Sequence, residues 1–221
     1  MFRGAVTTLS ALAAFSSLAG AETITFEQSG PVGTVPRGFT HATTGRGIAA
    51  DWKLVETADA PSGKMVVQQF SAGGDSRFPI LSYDKLETAN VDLSVKFKAI
   101  SGTTDQGAGL IWRMKDANNY YIVRANALED NVVTYIVKDG RRIDLPVKGQ
   151  GRTYGAKAPV TKAGWNTLAV SVRGATFKIS LNGPELYEVE DKAFDKAGRV
   201  GLWTKADSVM QFDDLSIEMA K

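Results

Sequence analysis

The residues best suited to hold a polar ligand are concentrated between Gly107 and Leu145. Arg113, Arg124 and Asn126 lie there among aromatic and apolar positions, and planar guanidinium forks and amides can orient a polar molecule. We therefore predict a ligand site on these three side chains. In the alternative interpretation, the arginines pair with surface carboxylates and the tryptophans are core. Four further candidates support the site: Tyr120, Lys138, Trp203 and Lys205.

The catalytic candidates are few. Glu188 and Glu190 share a strand face roughly 7 Å apart, which is compatible with the paired carboxyl groups of glycoside hydrolysis but is common on solvated strands. Glu129 and Asp130 lie in a turn near the predicted site. His41, the single histidine, lies in a polar loop, where it is either a general base or a solvated side chain. A multi-histidine metal site and thiol chemistry are excluded, because the chain has one histidine and no cysteine.

A structural calcium ion is a further prediction. Asp213 and Asp214 belong to the predicted last strand and Glu27 to the first, and terminal strands often lie together in sandwiches. Carboxylate and carbonyl oxygens are the ligands that Ca²⁺ prefers. No other cofactor is expected. The alternative is that these acids cap a solvated sheet edge.

The elements that position these residues are short strands. Along 119–126, alternation places Tyr120, Ile122, Arg124 and Asn126 on one face and Tyr121, Val123 and Ala125 on the other. On the preceding strand, Ile111 and Arg113 are predicted to face away from Leu110, Trp112 and Met114. The clearest strand is 90–99, which alternates apolar and polar residues and is predicted to be half buried. About twelve to fourteen strands with frequent turn residues, such as Asp139-Gly140, predict an all-β, two-sheet sandwich.

The N-terminus predicts export. Arg3, the apolar run 5–18 and the small residues 19–21 are typical of a cleavable signal peptide, so residues 1–21 are predicted to be removed and 22–221 to form one domain. The apolar run is too short for a bilayer of roughly 30 Å. Without Arg3, the 26 basic residues fall to 25 against 24 acidic ones, so the chain lacks the basic excess of a nucleic-acid-binding protein. We therefore expect an exported protein that is periplasmic or secreted and has no membrane-spanning segment.

Several segments together resemble one known family. They are Gly109–Met114, Asn119–Asn126, Gly198–Ser208 and Phe212–Leu215. The chain resembles exported bacterial domains of the concanavalin A-like lectin/glucanase superfamily, and among these the 3-keto-disaccharide hydrolase type, which is related to glycoside hydrolase family 16. The resemblance implies a jelly-roll sandwich of two curved antiparallel sheets, with sugar bound on the concave face. The family 16 signature Glu-x-Asp-x-x-Glu is absent, and Gln106–Gly109 stands where many relatives have Asn-Ser-Gly.

Three functions follow as hypotheses. The first is a domain that recognises a glycan or glycoside through Arg113, Arg124 and Asn126. The second is a hydrolase or lyase acting on a glycoside or its 3-keto form, in which a single base (a lysine, a tyrosine or His41) removes an acidified proton. The third is a non-catalytic envelope interaction protein. The sequence identifies neither the sugar nor any protein partner.

Overall fold

The computed structural model describes residues 20–70 and 74–220. These ranges contain sixteen β-strands and no helix, and hence no helix with the length and apolar character that a membrane crossing requires. The predicted signal segment, apart from Gly20 and Ala21, lies outside the described residues. The expected two-sheet sandwich is confirmed.

Sheet 1 has eight antiparallel strands in the order β14-β13-β12-β6-β16-β4-β3, with β1 also paired to β16. The first and last strands therefore lie side by side, as expected, with Thr23 opposite Ser216. Its strands are β1 (Glu22–Ile24), β3 (Trp52–Glu56), β4 (Met65–Gln69), β6 (Val91–Ser101), β12 (Asn166–Arg173), β13 (Thr176–Leu181), β14 (Glu185–Glu190) and β16 (Val209–Met219).

Sheet 2 has the order β10-β9-β8-β7-β15-β5-β2, with the short strand β11 also paired to β9. The β9–β10 hairpin turns at Asp139 and Gly140, which both have positive φ (50° and 76°), as a type I′ turn requires. Its strands are β2 (Phe39–Thr44), β5 (Phe78–Thr88), β7 (Gly107–Asp116), β8 (Asn119–Asn126), β9 (Asn131–Lys138), β10 (Arg141–Asp144), β11 (Ala156–Lys157) and β15 (Gly198–Thr204).

The main core lies between the two sheets. It joins Val95 and Phe97 of β6 to Trp112 of β7 and Tyr121 of β8, all of them fully buried. Strand β6 alternates buried and half-buried residues along most of its length, which confirms the predicted solvated outer face. Burial of the apolar side chains stabilises the sandwich by roughly 25 cal/mol per Å² of surface removed from water.

A second apolar cluster lies on the other face of sheet 2. All of its fully buried members come from sheet 2, whereas the main core draws on both sheets, so this cluster is on the outer side. Strands β7, β8 and β9 are consequently buried on both faces. The cluster comprises Phe78, Ile80, Ile111, Met114, Tyr120, Ile122, Val133, Tyr135, Val137 and Trp203.

Gly109 makes this cluster possible. A Cβ at Gly109 would lie 2.9 Å from the carbonyl oxygen of Val123 and 3.2 Å from the Trp203 ring, so any side chain there would collide with the neighbouring strand and the indole. The Gly-x-Gly segment that departs from the family pattern therefore gives room to Trp203.

Two predicted positions differ in the structure. The pairing of β7 with β8 shifts register between Trp112 and Asp116, and Arg113 adopts φ 48°. Such a bulge reverses the alternation, so Met114 joins Ile111 on the outer face instead of facing away from it. His41 lies in strand β2 rather than in a loop.

Candidate functional site

Five of the seven predicted ligand-binding side chains belong to one region, the outer face of sheet 2 and its end. Trp203 stacks on Phe78 with ring centroids 5.3 Å apart, and its indole N–H donates to the Tyr120 hydroxyl at 3.2 Å. The Thr44 hydroxyl lies 2.8 Å from the same oxygen. Burial raises the pKa of Tyr120 to about 12. These rings form a dry floor and do not themselves reach solvent.

Arg142 covers that floor. Its guanidinium carbon lies 4.5 Å from the Tyr135 ring centroid, 4.8 Å from that of Phe78 and 5.7 Å from that of Trp203, a cation–π arrangement. Nη1 is buried without a hydrogen-bond partner. The half-buried side chain lines an open pocket together with Gly45, Arg46, Asp75, Ser76, Phe78, Gly140, Arg141 and Lys205.

Arg124 lies beside this pocket but is only 1% exposed. It donates from Nη1 to Asn131 Oδ1 at 2.5 Å and from Nη2 to Glu129 Oε2 at 2.8 Å. The hydroxyls of Tyr135 and Tyr154 each lie 3.3 Å from Nη2. Its Nε is buried without a partner. Arg124 and these four partners therefore form one side of the site, which we call the Arg124 wall. Tyr154, 45% exposed, is the member of this wall that reaches solvent.

Glu129 is held ionised in this wall. Burial raises the pKa of its carboxyl, but the charge and hydrogen bond of Arg124 and a hydrogen bond from Asn131 outweigh it and keep the pKa below its usual range. A general acid of glycoside hydrolysis needs a raised pKa. Glu129 is therefore suited to accept hydrogen bonds and unsuited to deliver a proton at neutral pH.

Asn126 and Lys205 meet at Asp105, which is buried. Asn126 Nδ2 donates to Asp105 Oδ1 at 2.6 Å, and Lys205 Nζ donates to Oδ2 at 2.5 Å. The loop that carries Asp105 is tied down by Asp207, whose carboxylate accepts from the backbone N–H groups of residues 103–105 and from the Thr103 hydroxyl. Lys205 also lies 3.9 Å from Asp75 at the pocket mouth.

Arg113 is placed away from this region. Its guanidinium donates to three backbone carbonyls, those of Ala89, Phe194 and Gly174, at 2.8, 2.8 and 2.5 Å, and it shares no partner with Arg124. It lies four positions beyond Gly109 on β7, and Gly109 is the partner of Arg124 in the sheet, so the two arginines attach to the sheet roughly 13 Å apart. The structure therefore assigns Arg113 a clamping role between loops.

The predicted catalytic residues are also elsewhere. Glu188 and Glu190 lie on β14 of sheet 1, where both pair with Lys148. The hydrogen bond from Lys148 lowers the pKa of Glu190. His41 is exposed and lies opposite Leu81 of the main core, so it does not share the face of Thr44. Lys138 is exposed and faces away from Arg142, because Arg142 pairs with Val137.

The proposed calcium ligands already have protein donors. Glu27 Oε1 accepts from the N–H groups of Lys64 and Met65, and Asp213 accepts from those of Ser62 and Asp214. Asp214 pairs with Lys96. Among residues 20–70 and 74–220, no group of three or more acidic or histidine side chains is arranged to hold a metal ion. The geometry does not support the expected calcium site.

Sequence reasoning missed Arg142, Tyr135, Phe78 and Tyr154. A signal for Arg142 was present, because a two-residue turn at Asp139-Gly140 pairs Arg142 with Val137 and places it on the face of Tyr135. Tyr154 gives no such signal. Its position depends on a loop in which Tyr154 itself has φ 58°.

Comparison with known proteins agrees with this architecture. Residues 38–218 match the model of the 3-keto-alpha-glucoside-1,2-lyase-like domain. The chain belongs to that family. The resemblance seen in the sequence is thus confirmed over most of the domain. Comparison with the curated proteins finds no match.

Solved structures share the fold of this domain. The carbohydrate-binding module CBM66 from Bacillus subtilis is 19% identical with a TM-score of 0.62, over 82% of this chain and 95% of that one. The cellulose induced protein Cip1 is 13% identical with a TM-score of 0.64, over 90% and 97%. The GH43 protein BlXynB from Bacillus licheniformis, as the K247S mutant, is 14% identical with a TM-score of 0.54, over 90% of this chain and 39% of that one. The fold is a concanavalin A-like β-sandwich.

Proposed function

We propose that this domain is an exported carbohydrate-recognising protein whose ligand occupies the pocket over Arg142. The observation that carries the proposal is the Arg142 guanidinium, which lies on three aromatic rings and makes no hydrogen bond within the described ranges. A guanidinium has five N–H donors, and a sugar ring offers many oxygen acceptors. Membership of a 3-keto-glucoside lyase-like family and the carbohydrate-binding module of the same fold support this ligand class.

The surroundings of Arg142 suit recognition. Tyr135 connects the pocket to the Arg124 wall, because both guanidinium groups lie over its ring at 4.5 and 6.0 Å. Lys205 and Asp75 supply further polar groups at the mouth. Several of these groups are fixed by buried partners, and such preorganisation lowers the entropy cost of binding.

Binding is favoured over hydrolysis because neither Glu129 nor the predicted Glu188–Glu190 pair supplies a general acid at the pocket. Glu129 is held ionised by Arg124, and the Glu188–Glu190 pair belongs to the other sheet. The lyase alternative stays open through the family itself. For that reaction a single base near the pocket would be required, and Lys205, Tyr154 and Glu129 are the groups to test.

The test is retention of the purified protein on a panel of immobilised glycans, followed by mass spectrometry after incubation with the same glycans and with 3-keto-disaccharides. We expect retention on at least one glycan, loss of it in Arg142→Gln, and no loss in Arg173→Gln. Arg173 is a matched control, because it is exposed on sheet 1 and pairs with Asp92.

Wild-type protein that is retained on no glycan would overturn the proposal and favour the envelope interaction hypothesis. Retention that survives Arg142→Gln would overturn the assigned site. New products of lower mass would show that the protein is an enzyme and would overturn a function of binding alone.

A further inference from the structure

Three arginines that have no hydrogen-bond or ion-pair partner among the described residues line one pocket. Within residues 20–70 and 74–220, Arg46, Arg141 and Arg142 make no side-chain hydrogen bond or ion pair, and all three line the same depression. Each remaining arginine of those ranges is engaged: four pair with carboxylates and three donate to backbone carbonyls. These are Arg124, Arg152, Arg173 and Arg199, and Arg37, Arg77 and Arg113.

The carboxylates nearby do not neutralise these arginines. Asp75 is the one acidic residue of the pocket lining, and the cation placed against it is Lys205, at 3.9 Å. Lys205 also pairs with the buried Asp105. Lys205 and the three arginines carry four positive charges, and Asp75 and Asp105 carry two negative ones. The recess therefore retains an excess of two positive charges. Like charges gathered in a recess produce a positive potential that attracts anions.

Arg142 is preorganised to receive such an anion. Its guanidinium group is held against Phe78, Tyr135 and Trp203, so little rotamer freedom is lost when a ligand binds. Guanidinium forks match the paired oxygens of carboxylate and sulfate groups. Hydroxyl groups of a neutral sugar would accept the hydrogen bonds but leave the excess positive charge of the recess uncompensated.

We propose that the pocket recognises an acidic saccharide, with a carboxylate or sulfate group seated on Arg142 and flanked by Arg46 and Arg141. This inference rests on the proposed function and specifies its ligand class. It assigns no covalent step.

The experiment compares ligands that differ in charge alone. Oligogalacturonides and their fully methyl-esterified forms are titrated calorimetrically into the purified protein at low and high salt, and dextran sulfate is compared with dextran to separate sulfate from carboxylate. We expect at least one acidic form to bind about tenfold more tightly than its neutral counterpart at low salt. The preference should shrink as salt screens the charges.

Variants separate a built site from general attraction. Arg142→Gln should remove the preference for the acidic form, Arg142→Lys should restore part of it, and Arg46→Gln with Arg141→Gln should reduce it. Arg173→Gln should leave it unchanged, and melting temperatures verify that each variant folds.

Equal affinity for the charged and neutral forms would overturn this inference, as would an Arg173→Gln effect as large as that of Arg142→Gln. If neutral glycans bind in an Arg142-dependent way, the proposed function survives without the charge preference. If no glycan binds, charged or neutral, both the charge preference and the proposed function are overturned.

Discussion

Sheet 1 turns an open, polar face to solvent, whereas sheet 2 buries its outer face under a second apolar cluster. On sheet 1, Ser94, Ala169, Ser180 and Ser216 lie in one row across four strands, flanked by charged residues such as Lys178. On sheet 2, the corresponding layer is Trp203, Tyr120 and their neighbours. Buried rings thus support the polar groups on the outer face of sheet 2, whereas the row on sheet 1 consists of small side chains.

The same contrast separates the arginines. Arg173 on sheet 1 forms an exposed ion pair with Asp92, which contributes little to stability. Arg113 and Arg124 are buried and donate to three and four protein acceptors, respectively. Arg142 is supported by rings and has no hydrogen-bond partner within the described ranges.

The largest expected effect comes from removing the floor. Trp203→Ala deletes a fully buried indole and should lower the free energy of unfolding by about 3–5 kcal/mol. Ser94→Ala on the other outer face should change it by no more than about 0.5 kcal/mol. Urea titration of both variants measures the difference, and Trp203→Phe gives a milder variant if the alanine protein does not fold. Equal losses would show that the two faces are energetically alike.

The next largest expected effect is a difference in unfolding free energy between variants of Arg113 and Arg142. Arg113→Met leaves three carbonyl oxygens without their donor and should cost about 3 kcal/mol of unfolding free energy. Arg142→Met removes cation–π contacts alone and should cost about 1 kcal/mol or less. Thermal melts decide the order. A larger loss for Arg142→Met would make it a structural residue.

A smaller, pH-dependent effect is expected at Asp207. Burial raises the pKa of its carboxyl, but hydrogen bonds from Thr104, Thr103 and Asp105 outweigh it and lower the pKa to about 2. A carboxyl whose folded-state pKa is lowered stabilises the fold above its unfolded-state pKa, near 3.8, and loses that contribution as pH falls from about 3.8 to about 2.

The difference in unfolding free energy between wild type and Asp207→Asn should therefore shrink across that window. Urea titrations of the two proteins from pH 5 to about pH 2 follow it. A constant difference would show that the Asp105 loop does not depend on this ionisation.

The smallest expected effect on stability is that of removing the Tyr154 hydroxyl from the Arg124 wall. Tyr154→Phe loses hydrogen bonds to Tyr135 and Arg124 but keeps the ring, so stability should fall by about 1 kcal/mol and glycan retention should persist. Retention assays on the panel test this. Loss of all retention would move the ligand from Arg142 to the Arg124 wall.

The sequence predicts sheet 1 better than sheet 2, for a physical reason. Strand β6 alternates because water covers one of its faces, and alternation is a signal that a single chain displays. Strands β7 to β9 are buried on both faces, so the pattern of hydrophobicity no longer shows which face of the sheet each side chain occupies. The face of Arg124 could still be counted from Tyr121 and Val123. That of Arg113 could not, because a bulge intervenes.

Site residues drawn from distant segments were predicted least well. Arg142 meets Phe78 and Trp203 only after β10, β5 and β15 have been assembled in one sheet. The pairing partner of Lys205 is likewise an aspartate a hundred residues away, a contact that no periodicity in the sequence could predict.

The position of Trp203 makes its intrinsic fluorescence a reporter of the charge at Arg142. Trp52 and Trp112 are sealed in the main core, and Trp165 donates to a loop carbonyl far along the chain, so Trp203 alone among the four lies beneath the Arg142 charge. A molecule that neutralises this guanidinium changes the electric field across the indole and shifts its fluorescence emission. Occupancy can then be followed without a label, with Trp203→Phe as the silent counterpart.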